Sequence, residues 1–176
     1  MKYMLKSGIL YNENTSKPLA MLKGNFVGPE KEIYSSDHTL VFYTNICPTE
    51  ETGTPSGDVR SHQYIMQDTF GNAYAIGKPD YAANSNPDVF GWPISHMPRV
   101  NHANIYLSNR DYSLVMENSQ NYTLSTIDGK LSAQIIHNGL MGGWRFHTYE
   151  TFSPEDLCGI FAFCRYIEQE NEFMIV

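Results

Sequence analysis

Apolar and polar residues alternate in short runs over most of this chain, the period of a half-buried strand, and only near the C-terminus does the spacing become helical. The alternation predicts strands over 63–67 and 73–76, joined by the turn Asp68-Thr-Phe-Gly-Asn72, whose glycine is free to take positive φ. Four more follow over 105–107, 112–116, 122–127 and 130–136, with turns at 109–111, 118–121 and Asp128-Gly129. Asp-Gly between alternating runs is the strongest of these hairpin signals. After Gly139, Gly142 and Gly143, residues 144–149 read as a last strand. Upstream, 3–25 reads as one hairpin with a polar connection at 12–18, and 32–34 with 39–43 as a second, turning at 35–38.

The helical stretch begins at Ser153. Its hydroxyl suits the N-cap, Pro154 the first helical position, and Glu155 and Asp156 the positive end of the helix dipole. Asp156 also stands three residues after Ser153, the spacing of a capping box. Apolar residues at 157, 160, 161, 164 and 167 form a stripe, and Cys158, Ala162, Phe163 and Tyr166 fill the other faces. A helix apolar all round is buried all round. The run from 157 to 167 spans about 17 Å, far less than the roughly 30 Å of a bilayer core, so a helix plugged into the middle of a domain is expected. Arg165, the one charge in that run, is expected at a barrel mouth or paired with Glu168 or Glu150. The tail 173–176 reads as a final strand that closes the sheet, ahead of the alternative of an exposed edge for a partner.

Two stretches lack periodicity. Residues 47–57 carry Pro48, Glu50, Glu51, Gly53, Pro55 and Gly57, an acidic loop. The longer one, 77–101, holds Pro79, Pro87, Pro93 and Pro98 with large aromatics. There is also a repeat at an offset of 58 residues: Tyr64, Gly71 and Ala75 recur as Tyr122, Gly129 and Ala133, as two copies of a strand-turn-strand unit would have it.

Composition narrows the function more than the fold. The chain has 176 residues, of which 41% are hydrophobic, with 12 Tyr, 9 Phe and 2 Trp; that is enough for the core of one domain over 1–176, rich in strands. The net charge of −7 is uneven: residues 1–31 hold five lysines against two glutamates, and the remainder is strongly acidic. An acidic chain is a poor fit to nucleic acid. Cys47, Cys158 and Cys164 make neither a disulfide framework nor a metal spacing, so a reducing, cytoplasmic setting without a metal or other cofactor is expected. No segment has the length of a membrane span or the pattern of a secretory signal.

Candidate chemistry is sparse. The six histidines show no metal-binding spacing; His137 and His147 are the pair to inspect, as they flank the glycine-rich bend and would face each other across two strands near Glu150. A thiol inside an apolar helix is a small hydrophobe and not a nucleophile. Tyr81, Phe90, Trp92, His96, Arg99 and His102, in and beside the aromatic stretch, combine stacking surfaces with hydrogen-bond donors, as a pocket for a sugar or small anion would. The plainer account is that such aromatics anchor an irregular loop.

Successive antiparallel strands of the form tyrosine, alternation, Asp-Gly, alternation with alanine, ending in an acidic cap and an all-round apolar helix, resemble the tubby C-terminal-like superfamily. The LURP-one-related and scramblase-like branches are the nearest in size. The resemblance, best over 63–167, implies a mainly β (α+β) protein, a closed antiparallel β-barrel around a central hydrophobic C-terminal helix. Some members bind phosphoinositides through clustered Lys and Arg; here Arg110, Lys130 and Arg145 form no such cluster in the sequence, and no Asp-x-Asp-x-Asp-Gly calcium loop is present. The reading is therefore a non-enzymatic domain that binds an unidentified small ligand or protein. The alternatives are a peripheral phospholipid-binding domain using the N-terminal lysines, and an enzyme with its site in the 77–101 stretch.

Overall fold

A computed structural model describes residues 1–24, 29–48, 62–81, 100–118 and 120–172, together with the backbone but not the side chains of Tyr81 and Glu172. The first five strands are β1 (Lys2–Lys6), β2 (Ile9–Asn12), β3 (Pro18–Lys23), β4 (Lys31–Ser35) and β5 (Leu40–Pro48). The other seven are β6 (His62–Asp68), β7 (Ala73–Tyr81), β8 (Val100–Leu107), β9 (Arg110–Asn118), β10 (Asn121–Thr126), β11 (Leu131–His137) and β12 (Trp144–Thr148). Each pairs antiparallel with its neighbours in sequence, and β1 pairs with β12, closing the barrel. Alternation puts Tyr3, Leu5, Leu10, Ile33, Tyr64, Met66, Leu114, Leu124, Ile135 and Phe146 inside, all buried.

Helix α1 (Pro154–Glu172) packs within that apolar interior. The capping box forms: Asp156 N–H donates to Ser153 Oγ at 3.0 Å, and Ser153 N–H to Asp156 Oδ2 at 3.2 Å. Residues 157 to 164 are buried without a break. Room for the helix comes from Gly159, where a Cβ would lie 2.4 Å from Met66 Sδ. Its far end is tied down by Asn171, which exchanges hydrogen bonds with Val100 backbone (3.0 and 2.8 Å), and by Glu170, 2.8 Å from His62 Nδ1.

Four expectations change. Residues 3–25 are not one hairpin: β1 and β2 turn tightly at Ser7-Gly8, both at positive φ, before β3 begins. The 77–101 stretch is shorter than its prolines suggest, because 77–81 complete β7 and 100–101 open β8; Pro79 takes its place opposite Ala103. The turn assigned to 109–111 lies at Ser108-Asn109. Closure comes through β1 and β12, with no strand from 173–176 needed; those residues, like 49–61 and 82–99, lie outside the described part.

Candidate functional site

The barrel has two unlike ends. Beside the start of α1 the turns are tight, whereas the end where α1 finishes carries the longer connections β3–β4, β5–β6, β7–β8 and β11–β12. At this second mouth a cavity of about 290 Å³ opens between the helix and the wall made by β12, β1, the β1–β2 turn, β3 and β4. Leu5, Leu22, Trp144 and Phe161 supply apolar surface and Lys31 and Arg165 positive charge, while the Lys23 ammonium at the rim lies over the Tyr34 ring, 4.4 Å from its centroid.

Local backbone geometry shapes the cavity. Gly143, at φ 83°, brings the chain against β1 so closely that a Cβ would sit 2.5 Å from the Leu5 carbonyl oxygen. Trp144 follows at once, in register with Leu5. Gly8 does the same on the other side, within 2.5 Å of the Leu22 carbonyl. Phe161 and Arg165, one helical turn apart, face the cavity together.

Two donors there are unsatisfied. Trp144 Nε1–H and Arg165 Nε–H are buried and find no hydrogen-bond partner among the described residues. A buried donor left unpaired costs about 1–3 kcal/mol, so such groups mark places where something else binds. Arg165 lies over the Trp144 ring, its Cζ 5.7 Å from the centroid, and Trp144 leans on Phe161 at 4.7 Å. The other edge of the guanidinium is held, since Nη1 pairs with Glu168 Oε2 while Glu168 Oε1 accepts from Tyr122 Oη at 2.6 Å. Lys31, only 5% exposed, stands nearby, and burial together with the Arg165 cation pushes its ammonium below the usual lysine range. The two unpaired donors turned toward an apolar-walled cavity suit this mouth to an anion in donors and shape.

No family model, curated protein or solved structure matches the chain.

Of the residues expected to bind a ligand, Phe90, Trp92, His96 and Arg99 lie outside the described residues, as does the Tyr81 side chain. His102 is described, and it belongs to the outer wall, away from the mouth cavity: Nε2 is 2.9 Å from Ser113 Oγ and Nδ1 3.6 Å from Asp80 Oδ2. That order of groups is the order of a hydrolase triad, but 3.6 Å exceeds a hydrogen bond and Asp80 is 68% exposed, so the imidazole is not held as a base.

The histidine pair does not form. His147 is in register with Gln134 and Lys2, and His137 packs edge-on against Trp144 at 5.1 Å. Glu150 pairs instead with Arg110 at 3.2 Å. No group of three metal-ligating side chains occurs among the described residues. Arg165, by contrast, sits at the mouth and pairs with Glu168, and both helix thiols are buried, as the sequence led one to expect.

Lys31 comes beside Arg165 only because β4 and α1 meet across more than a hundred residues of sequence. The signal available was the lysine excess in 1–31, set against the lone arginine in an apolar helix.

Proposed function

We propose that this chain is a tubby-like, non-enzymatic binding domain whose ligand is a small organic anion with an apolar body, held in the mouth cavity. The observation that carries the reading is the pair of buried, unpartnered donors, Trp144 Nε1–H and Arg165 Nε–H, in a pocket that Lys31 also lines. The closed antiparallel barrel around a buried C-terminal helix supports the tubby-like assignment. Three free thiols support the cytoplasm as its compartment.

A Trp92→Phe variant leaves Trp144 as the sole tryptophan reporter. Its emission should change saturably with 4-methylpentanoate or 3-methylbutyl phosphate and not with the neutral 4-methylpentanamide. Arg165→Met should weaken that response by about 10- to 100-fold, the worth of a charge-assisted hydrogen bond. No saturable change with either anion would discard the reading.

A second reading, a phospholipid surface, is favoured by one observation: Leu140 and Met141 project bare from the β11–β12 connection at the same mouth, where Lys6 and Lys23 are also exposed. Flotation with anionic vesicles at low salt, lost in a Leu140→Ser, Met141→Ser double variant, is its expected result. Protein that stays with the soluble fraction excludes it.

A further inference from the structure

We propose that the mouth cavity is selective for a singly charged carboxylate over dianions such as phosphate monoesters, and that Glu168 sets this selectivity through its pairing with Arg165. This rests on the anion-pocket reading and goes one step further, to the class of anion.

Donor number gives the first argument. Trp144 Nε1–H and Arg165 Nε–H are buried and unpartnered, and their side chains are neighbours, the guanidinium carbon 5.7 Å from the indole centroid. One carboxylate has two oxygens to offer them. The dianion of a phosphate monoester has three charged oxygens, and with two donors the third is turned toward Leu5, Leu22 or Phe161. A charged oxygen among apolar side chains loses its hydration and gains no hydrogen bond.

Charge gives the second. Arg165 comes to the cavity already paired, because its Nη1 donates to Glu168 Oε2, and Tyr122 Oη, donating to Glu168 Oε1, fixes that carboxylate in place. Glu168 is only 11% exposed, so salt and water screen it little. With the guanidinium charge offset, Lys31 is the other cation of the inner lining, and the Lys23 ammonium is engaged with the Tyr34 ring at the rim. The inner lining therefore offers one net positive charge at most. A monoanion is matched by it, whereas the second charge of a dianion is buried without a counterpart and repelled by Glu168. The apolar body of the ligand has Leu5, Leu22 and Phe161 to lie against. A volume of about 290 Å³ equals that of about ten waters, room for a branched acid of six carbons.

Equilibrium dialysis of the wild-type chain at about pH 8, where a phosphate monoester is a dianion, tests this with ligands that share one apolar body. They are 4-methylpentanoate, 3-methylbutyl phosphate and 3-methylbutyl methyl phosphate, a diester with one charge and two free oxygens. The carboxylate should bind at least about tenfold tighter than the monoester, the loss expected when one charged oxygen goes without a partner. The diester should bind nearer to the carboxylate than to the monoester. In Glu168→Gln the amide oxygen still accepts from Arg165 and one negative charge is gone. Every anion is then favoured, a dianion twice as much in free energy, so the monoester should gain the square of the factor by which the carboxylate gains. If all three ligands weaken together in that variant, Glu168 is a structural brace and its part in selectivity is overturned. The wild-type comparison decides the selectivity itself whether or not the variant folds. A monoester that binds as tightly as the carboxylate overturns it and leaves the anion pocket standing, and a diester as weak as the monoester overturns the argument from charge and donor number. If none of the three binds, the pocket itself is wrong.

Discussion

At the scale of single residues, the mouth depends on how Arg165 is held. Glu168 takes one edge of the guanidinium and leaves Nε to the cavity, while Tyr122 braces the carboxylate from β10. Glu168→Gln keeps the shape but weakens that brace, so affinity for 4-methylpentanoate in the fluorescence titration should change, whereas Tyr122→Phe should lower stability by about 1–2 kcal/mol through one lost hydrogen bond to a charged group. Gly159 is as closely determined. A methyl there meets Met66 Sδ, and overpacking of about 1–3 kcal/mol outweighs the gain of up to about 1 kcal/mol in helix propensity. Gly159→Ala should therefore lower the denaturation midpoint, and a double-mutant cycle with Met66→Ala should show coupling; additive effects would mean the contact is not the cause. The sequence disclosed Arg165 as an odd charge in an apolar run. It could not disclose Lys31 as its neighbour, because that contact is made by barrel closure and by no local spacing.

At the scale of elements, three hairpins share one construction. Tyr64 and Tyr122 are both buried, Gly71 and Gly129 take φ of 86° and 84°, and Ala75 and Ala133 lie opposite Met66 and Leu124, each just before a bulge. The 58-residue repeat is thus a repeat of turn geometry. A third copy at β4–β5 has its bulge after Ile33 and puts His38 at φ 66°, and without a glycine it escaped the sequence pattern. In each turn an aspartate accepts local hydrogen bonds: Asp37 from Ser35 and Thr39, Asp68 from Phe70 and Asn72, Asp128 from Thr126. Those bonds hold all three carboxyls below the usual aspartate range. Between the folded and unfolded values the unfolded chain binds more protons, so their contribution is complete above about pH 4 and is lost as pH falls through the folded values. Acid titration of stability should show that loss, and Asp68→Asn should flatten part of it; an unchanged acid limb would assign the loss to other groups. Gly129→Ala, with no neighbour within 4 Å, isolates backbone strain and should cost about 1–2 kcal/mol. The turn the sequence missed, Ser7-Gly8, leads into β2, a strand of four residues and too short to show alternation, whereas the turn placed at 109–111 is offset by one residue.

At the scale of the whole molecule, one decision organises everything: the helix is inside. Its stripe, its all-round apolarity and its capping signals were legible because they are local, and a closed barrel is the architecture that surrounds a helix on every side. Enclosure also fixes the response to alkali. Burial raises the Cys158 and Cys164 thiols and the Tyr166 and Tyr122 phenols. Above about pH 8.5 for thiols and pH 10 for phenols the unfolded chain gives up protons that the folded one keeps, so stability is full below those values and falls as pH rises through them. In a Cys47→Ser variant, modification of Cys158 and Cys164 should then proceed only through unfolding. Their labelling rates should coincide, rise with denaturant along the slope of global unfolding, and increase more steeply with pH than the ionisation of a free thiol requires. A labelling rate indifferent to denaturant would mean the helix opens to solvent by local motion. In that event the mouth cavity, two of whose walls are Phe161 and Arg165 on the same helix, would not exist as a fixed site either.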